Sequence, residues 1–405
     1  MEHIKHFLLL NKYTLIPVVV LAIAAFWTIS NIPGSRAEKF QRVARIEVIA
    51  SMVRFSNDSQ SFFVRTYNDT LCHYDIKGNL LGQIKFQGKS ISDFYVSADD
   101  KKLGMLVQEH VFDNEKCVAN PIDFVVVDIE DMTIAKKVNL FTGYAESLNK
   151  GVLFSPTTES WIAYYSDVDK DKTKYTFFAL KSDNLEKQAE NVITSKSYPM
   201  HIYCVPEVEG IIGIKFSDTS QHWNYLTNEL MERPAKSTIS ETASESKFFS
   251  GPFSRTIAAL GTYQESVCFL VFPFDSDTPL YYSAPLPENV KPPRASWAQV
   301  VGISDDFNIV LFFSSPIGAV LSPPPHQRLF VSDVPSMQVF AELTNRRGVL
   351  SFNGDAFIRD AFLSPDGRHV VTVGRSRKPA YWINIYDVST PDLRPAEEWR
   401  TVNPL

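Results

Sequence analysis

Apolar and polar positions divide the chain into two regimes. From Tyr13 to Ile32 the run YTLIPVVVLAIAAFWTISNI holds twenty residues without a charge. A helix of about that length crosses a ~30 Å hydrocarbon layer. Tyr13 and Trp27 suit the membrane interfaces, and Pro17 is tolerated near the start of such a helix. Lys5 and Lys12 precede the run and Arg36, Lys39, Arg42 and Arg45 follow it, so flanking charge does not orient it. Large downstream domains cross membranes largely regardless of charge, which favours an extracytoplasmic (periplasmic or lumenal) location over a cytoplasmic one. The competing reading is a signal peptide cleaved after Ala37, with Pro33 and Gly34 ending its helix. The apolar run is longer than a usual signal core of roughly 7–15 residues, which favours an uncleaved anchor. No second run of this length follows, so the chain is single-pass at most.

Beyond the run the periodicity changes to short alternating strands punctuated by turns. The clearest unit is AFLSPDGRHVVTVGRSRKPAYWINIYDV, Ala361 to Val388: strand, tight turn at Ser364-Pro365-Asp366-Gly367, strand, loop, and a strand ending in Asp387. Pro presets the first turn dihedral and Gly accepts the positive one. The phrase recurs with starts at Ser56, Ser97, Ser155, Val205, Gly251 and Ser304, spaced about 41 to 60 residues apart. Six residues after each start lies an apolar residue: Phe62, Leu103, Trp161, Ile211, Ile257, Val310 and Val370. In a second register, a later apolar strand closes on Asp75, Asp128, Asp183, Asn228, Asp275, Asp333 or Asp387. Two markers in the same order favour a radial ring of sheets over a sandwich of similar hairpins. The predicted fold is all-β, a seven-bladed β-propeller after one transmembrane helix. RIEVIA, Arg45 to Ala50, is expected to supply the outer strand of the last blade and close the ring. The domain reading is 1–34 tail and anchor, 35–44 linker, 45–394 propeller and 395–405 C-terminal tail.

The Ser364-Pro365-Asp366-Gly367 hairpin followed by Arg368-His369-Val370-Val371 resembles the WD40-like repeat of TolB-type and related seven-bladed propellers. No repeat carries a Trp-Asp pair; Tyr74-Asp75 and Tyr386-Asp387 are the nearest substitutes. The resemblance implies a fold, and propellers host enzymes, lectins, scaffolds and receptors.

Departures from the repeat point to function. Long connections between second and third strands are expected at Val111 to Pro121, Asp167 to Lys174 and Ser315 to Gln327. Long connections between blades are expected at Glu229 to Lys247, Ser283 to Ala298 and Thr344 to Ile358. Both kinds emerge on the same side of a propeller, and one-sided insertions mark a binding side. The candidate partner-binding residues there are Asp113, Glu115, Lys116, Asp169, Lys170, Pro323, Pro324, Arg346, Arg347, Arg375, Arg377 and Lys378. Proline-rich pieces are stiff and lower the ordering cost of docking, whereas the Ser/Thr/Glu-rich stretch Lys236 to Lys247 reads as flexible.

Composition narrows the chemistry. Forty-six acidic residues against 40 Lys and Arg give a net charge of −6, which argues against nucleic acid as the main partner. Asp167-Val-Asp169-Lys-Asp171 opens like a calcium loop, but Lys172 and Phe178 stand where a Gly and a carboxylate are needed, so it reads as a hairpin tip. The eight histidines form no compact metal set, and no cofactor is expected. No GxSxG elbow, Walker loop or dinucleotide fingerprint is present. Cys72 and Cys117, from neighbouring blades, are either buried thiols or a pair in an oxidising compartment. Asn57-Asp-Ser59 and Asn68-Asp-Thr70 fit the glycosylation triplet. The expectation is a non-catalytic membrane-anchored scaffold subunit whose insertion side binds protein. The alternatives are an enzyme or small-ligand binder using the central channel, and a secreted periplasmic propeller.

Overall fold

The computed structural model describes residues 38–67, 69–113, 116–142, 150–169, 172–195, 211–215, 222–227, 232–238, 249–250, 256–263, 266–273, 281–285, 296–305, 308–316, 326–335, 337, 339–346, 358–375, 381–389 and 400–401. Met1–Glu38 and Lys39–Leu405 separate as two units, and the second is described below. The apolar run Tyr13 to Ile32 lies outside the described residues. Among those described there is no helix long and apolar enough to cross a membrane.

Strands of this unit pair antiparallel with their sequence neighbours. The first sheet runs Ala50–Phe55, Ser61–Thr66, Thr70–Asp75, Leu80–Lys85. The second runs Lys89–Val96, Lys102–Glu109, Ile122–Asp128, Thr133–Phe141. The third runs Lys150–Ser155, Ser160–Asp169, Lys172–Lys181, Lys187–Ser195. The fourth shows Ile211–Lys215, His222–Thr227 and Glu232–Thr238. The fifth contains Phe249–Ser250, Thr256–Tyr263, Ser266–Pro273 and Tyr281–Tyr282. The sixth contains Ser296–Ile303, Ile309–Pro316, His326–Asp333 and Val339–Arg346. The seventh has Ile358–Leu363, His369–Arg375 and Tyr381–Asp387, with Gln41–Ile46 on its outer edge.

The ends of the chain depart from the sequence reading. The closing strand is Gln41–Ile46, pairing Gln41 with Asp387 and Ile46 with Ile383, so it starts four residues before Arg45 and lies partly in the expected linker. As an edge strand it leaves Val43 46% exposed, which blurs the alternation that marks a half-buried strand. Within the expected C-terminal tail, Arg400–Thr401 adds to the fifth sheet against Tyr281–Tyr282.

Six of the seven apolar markers fall in second strands, and Ile211 opens the first described strand of the fourth sheet. Phe62, Leu103, Trp161, Val310 and Val370 are completely buried, each worth roughly 1.5–3 kcal/mol or more relative to exposure. Phe62, Leu103, Trp161 and Val370 belong to cores that bridge successive sheets. Phe63 and Leu71 of the first sheet pack with Phe94 and Met105 of the second. Leu106 and Phe124 of the second pack with Trp161 and Phe178 of the third. Leu311 and Leu329 of the sixth join Val370 and Tyr386 of the seventh. Val371 and Ile383 of the seventh join Val53 and Val64 of the first, so the last sheet packs on the first. Gly104 lets the Trp161 ring lie flat between sheets, since a Cβ there would sit 2.5 Å from Cε3.

The repeated turn has a chemical basis. Ser56, Ser97, Ser304 and Ser364 are each at most 3% exposed, and each hydroxyl accepts the backbone N–H five residues on, at 2.9–3.0 Å. In three of them the hydroxyl donates to the Asp two residues later, Asp58, Asp99 or Asp366, at 2.6 Å. Three residues after the serine the chain turns left-handed, at Ser59, Asp100 and Gly367, with φ of 62°, 55° and 74°. Such local side-chain bonds reproduce a turn without requiring an identical sequence.

Candidate functional site

The meander puts the connections between first and second strands at one end of each sheet. The connections between second and third strands lie at the other end. The first set is joined by its own hydrogen bonds. Asn57 Nδ2 donates to Ser97 O at 2.7 Å and to Asp100 Oδ1 at 2.8 Å, and the Asp58 N–H reaches Asp100 Oδ2 at 2.9 Å. The Asp366 N–H bonds Ser59 Oγ at 3.0 Å, and the Asp305 N–H bonds Pro365 O at 2.7 Å. Turns of the sixth, seventh, first and second sheets thus form one continuous belt. The Asn57 amide that a glycan would need is committed to this belt. Asn68 lies outside the described residues.

The opposite end carries a projecting element. Residues after Glu109 form a separate hairpin, Val111–Asp113 against Lys116–Ala119, closed at its base by the Glu109 N–H to Pro121 O bond of 3.1 Å. Phe112 is 64% and Val111 40% exposed, and the His110 and Phe112 rings lie 6.3 Å apart. Beneath it, Lys89 pairs with Glu109 at 2.7 Å, and Asp123 receives Lys137 at 2.7 Å and Asn139 at 3.0 Å. Burial opposes ionisation of Asp123, but the bonds from Lys137 and Asn139 outweigh it and hold the carboxyl below its usual range. The Lys89 bond to Glu109 raises the Lys89 pKa. Lys150, on the innermost strand of the third sheet, donates to the neutral Gln108 amide, and burial pushes its amine down to about 8.

A third feature lies between the innermost strands. A depression of about 390 Å³ is lined from the first, second, sixth and seventh sheets, including Arg54, Tyr95, Val301 and Phe362. Its rim meets the turn belt at Asn57, Asp305 and Pro365. Arg54 Nη2 donates to Asp93 Oδ1 at 3.2 Å, and Asp93 Oδ2 accepts the Val152 N–H at 2.9 Å. The guanidinium lies 5.0 Å from the Tyr95 ring centroid. Burial opposes the Arg54 charge, yet Asp93 and then Tyr95 hold its pKa above the ordinary value.

No protein-family model and no curated protein matches this chain in sequence. Solved structures do match it. The Cps50 (Swd1) β-propeller domain of Myceliophteria thermophila superposes with a TM-score of 0.53 at 12% identity, over 86% of this chain and 100% of that one. Raptor of Chaetomium thermophilum gives 0.51 at 11% identity, over 89% of this chain and 30% of that one. The fold is a WD40-like β-propeller. In all, 806 solved chains match, a breadth that identifies architecture and leaves function to the sites built on it.

The propeller places the sequence-nominated residues as follows. Asp113 and Lys116 face each other in the hairpin register. Asp169 pairs with Lys172 at the end of a hairpin in which Asp167 opposes Lys174; the expected 167–174 loop is therefore two extended strands. Alternating Val168 and Thr173 suit a ladder, and cross-strand opposite charges support it. Arg346 ends the sixth sheet opposite His326, and Arg375 ends its strand opposite Tyr381. Glu115, Lys170, Pro323, Pro324, Arg347, Arg377 and Lys378 lie outside the described residues. In the expected flexible stretch, Glu232–Thr238 is a strand that takes in residues 236–238. Cys72 is a free, buried thiol. Sequence reasoning missed Arg54 and Asp93; the signal was a lone charge in the first strand ASMVRF and a carboxylate within the first strand KSISDFYV.

Proposed function

We propose that this chain is a seven-bladed propeller, tethered by its 13–32 segment, that acts as a non-catalytic protein-interaction subunit of a membrane-associated assembly. Among the described residues, seven sheets of three or more strands following one another along the chain support the blade number. The uncharged run of twenty residues supports the tether. The observation that carries the binding reading is the 111–119 hairpin, which holds Phe112 and Val111 in water while the turn belt spends its polar groups on itself. Exposed aromatic residues on a built element are where interfaces concentrate their binding energy. Affinity purification of the full chain from detergent-solubilised native membranes tests this. A stoichiometric partner recovered by wild type and lost with Phe112→Asp supports the reading; its recovery by both, or by neither, overturns it.

A further inference from the structure

Beside the depression, an ion pair between two sheets is held by a backbone amide of a third. Arg54 of the first sheet meets Asp93 of the second, which is fixed by the Val152 N–H of the third. Asp93 is 7% exposed, so its carboxylate is committed. Arg54 remains 33% exposed at the side chain and contributes to the depression. The bond to Asp93 uses one of the five guanidinium donors. Nearby, Arg65 feels the like charges of both Arg54 and Arg359, while Asp360 answers Arg359 at 2.6 Å. Of these groups Arg54 lines the depression itself. Asp305, the acid on the rim, is exposed to water.

Met52, Phe55, Val301, Phe362 and Leu363 contribute apolar side chains and Tyr95 an aromatic ring to a mixed lining, and the volume of about 390 Å³ falls within the range of small-molecule sites, roughly 300–1,000 Å³. A cation with spare donors beside a partly apolar hollow matches a ligand with one anionic group on a ring-sized apolar body. We infer that the channel depression binds an organic carboxylate of this kind, anchored on Arg54. The carboxylate accepts the spare guanidinium donors, and its body covers the apolar walls. This site is independent of the partner reading, because it opens at the belt side and shares no residue with the 111–119 hairpin.

The test uses the full chain in nanodiscs, titrated with 4-(trifluoromethyl)phenylacetate and followed by fluorine NMR, with empty nanodiscs as baseline. 4-(Trifluoromethyl)phenylacetamide presents the same body without charge. Saturable binding of the acid, at least tenfold tighter than the amide, is expected. Arg54→Met combined with Asp93→Asn removes the anchor together with its direct ion-pair partner, and is expected to weaken the acid at least tenfold with the amide unchanged. Equal binding of acid and amide, no binding of either, or a double variant that holds the acid as wild type does overturns the inference.

Discussion

Replacing Ser97 or Ser364 by alanine removes the group on which the repeated turn is built. At Ser97 the hydroxyl accepts the Lys102 N–H at 2.9 Å and donates to Asp99 at 2.6 Å. At Ser364 it accepts the His369 N–H at 2.9 Å and donates to Asp366 at 2.6 Å. Both serines are buried, so the orphaned N–H costs about 1–3 kcal/mol, and a hydrogen bond to a charged group adds a similar amount. Partial relaxation of a surface turn leaves an expected loss of about 2 kcal/mol per variant, roughly thirtyfold in the folding equilibrium. Urea unfolding followed by tryptophan fluorescence reads this directly, because Trp161 and Trp382 are 0% and 2% exposed. The two turns share no bond, so the double variant should lose the sum to within about 0.5 kcal/mol. Losses below about 0.5 kcal/mol in both variants would refute the serine hydroxyl as the basis of the repeat.

Other outcomes follow from the same geometry. Lys150→Met should stabilise the propeller at pH 7 by about 1–2 kcal/mol, because burial lowers the amine to about 8 while the unfolded chain keeps an ordinary lysine. The unfolded state then binds more protons between about pH 8 and 10.5, so wild-type stability rises across that window and the advantage of the variant fades; a pH-independent difference in urea midpoints would contradict it. His73 is buried against Phe63 with ring centroids 4.3 Å apart, and burial lowers its pKa. Stability should therefore fall as pH drops below about 6.5, and His73→Phe should flatten that part of the urea-midpoint profile. Gly104→Ala drives a methyl against the Trp161 ring at 2.5 Å and should cost at least about 2 kcal/mol in urea. Deleting residues 1–46 removes the closing strand, exposes the Tyr381–Asp387 edge, and should produce concentration-dependent association in sedimentation velocity.

The parts of this fold that were legible in sequence are those encoded locally. A buried serine, an Asp two residues later and an apolar residue six after the start sit within one hairpin, so their recurrence survived at Ser56, Ser97 and Ser364. The closing strand was displaced because Gln41–Ile46 lies on an edge, with Arg45 and Val43 outward and no strict alternation to read. The Asp/Lys-rich 167–174 segment looked like a loop because a hairpin extending into water tolerates charge, and Asp167 opposite Lys174 turns that charge into a pairing signal. Arg54, Asp93 and Val152 were illegible as a group: nearly a hundred residues separate the first from the last, and only the packing of three sheets brings them together.

The central claim is that partners engage the hairpin side and not the belt. Site-specific photocrosslinking in native membranes tests it most directly, with a photoreactive phenylalanine analogue at position 112 in one protein and at the exposed Ala98 position of the belt in another. A single adduct of defined mass at position 112, absent at position 98, is the result expected. Adducts at position 98 alone, or at neither position, would contradict the account.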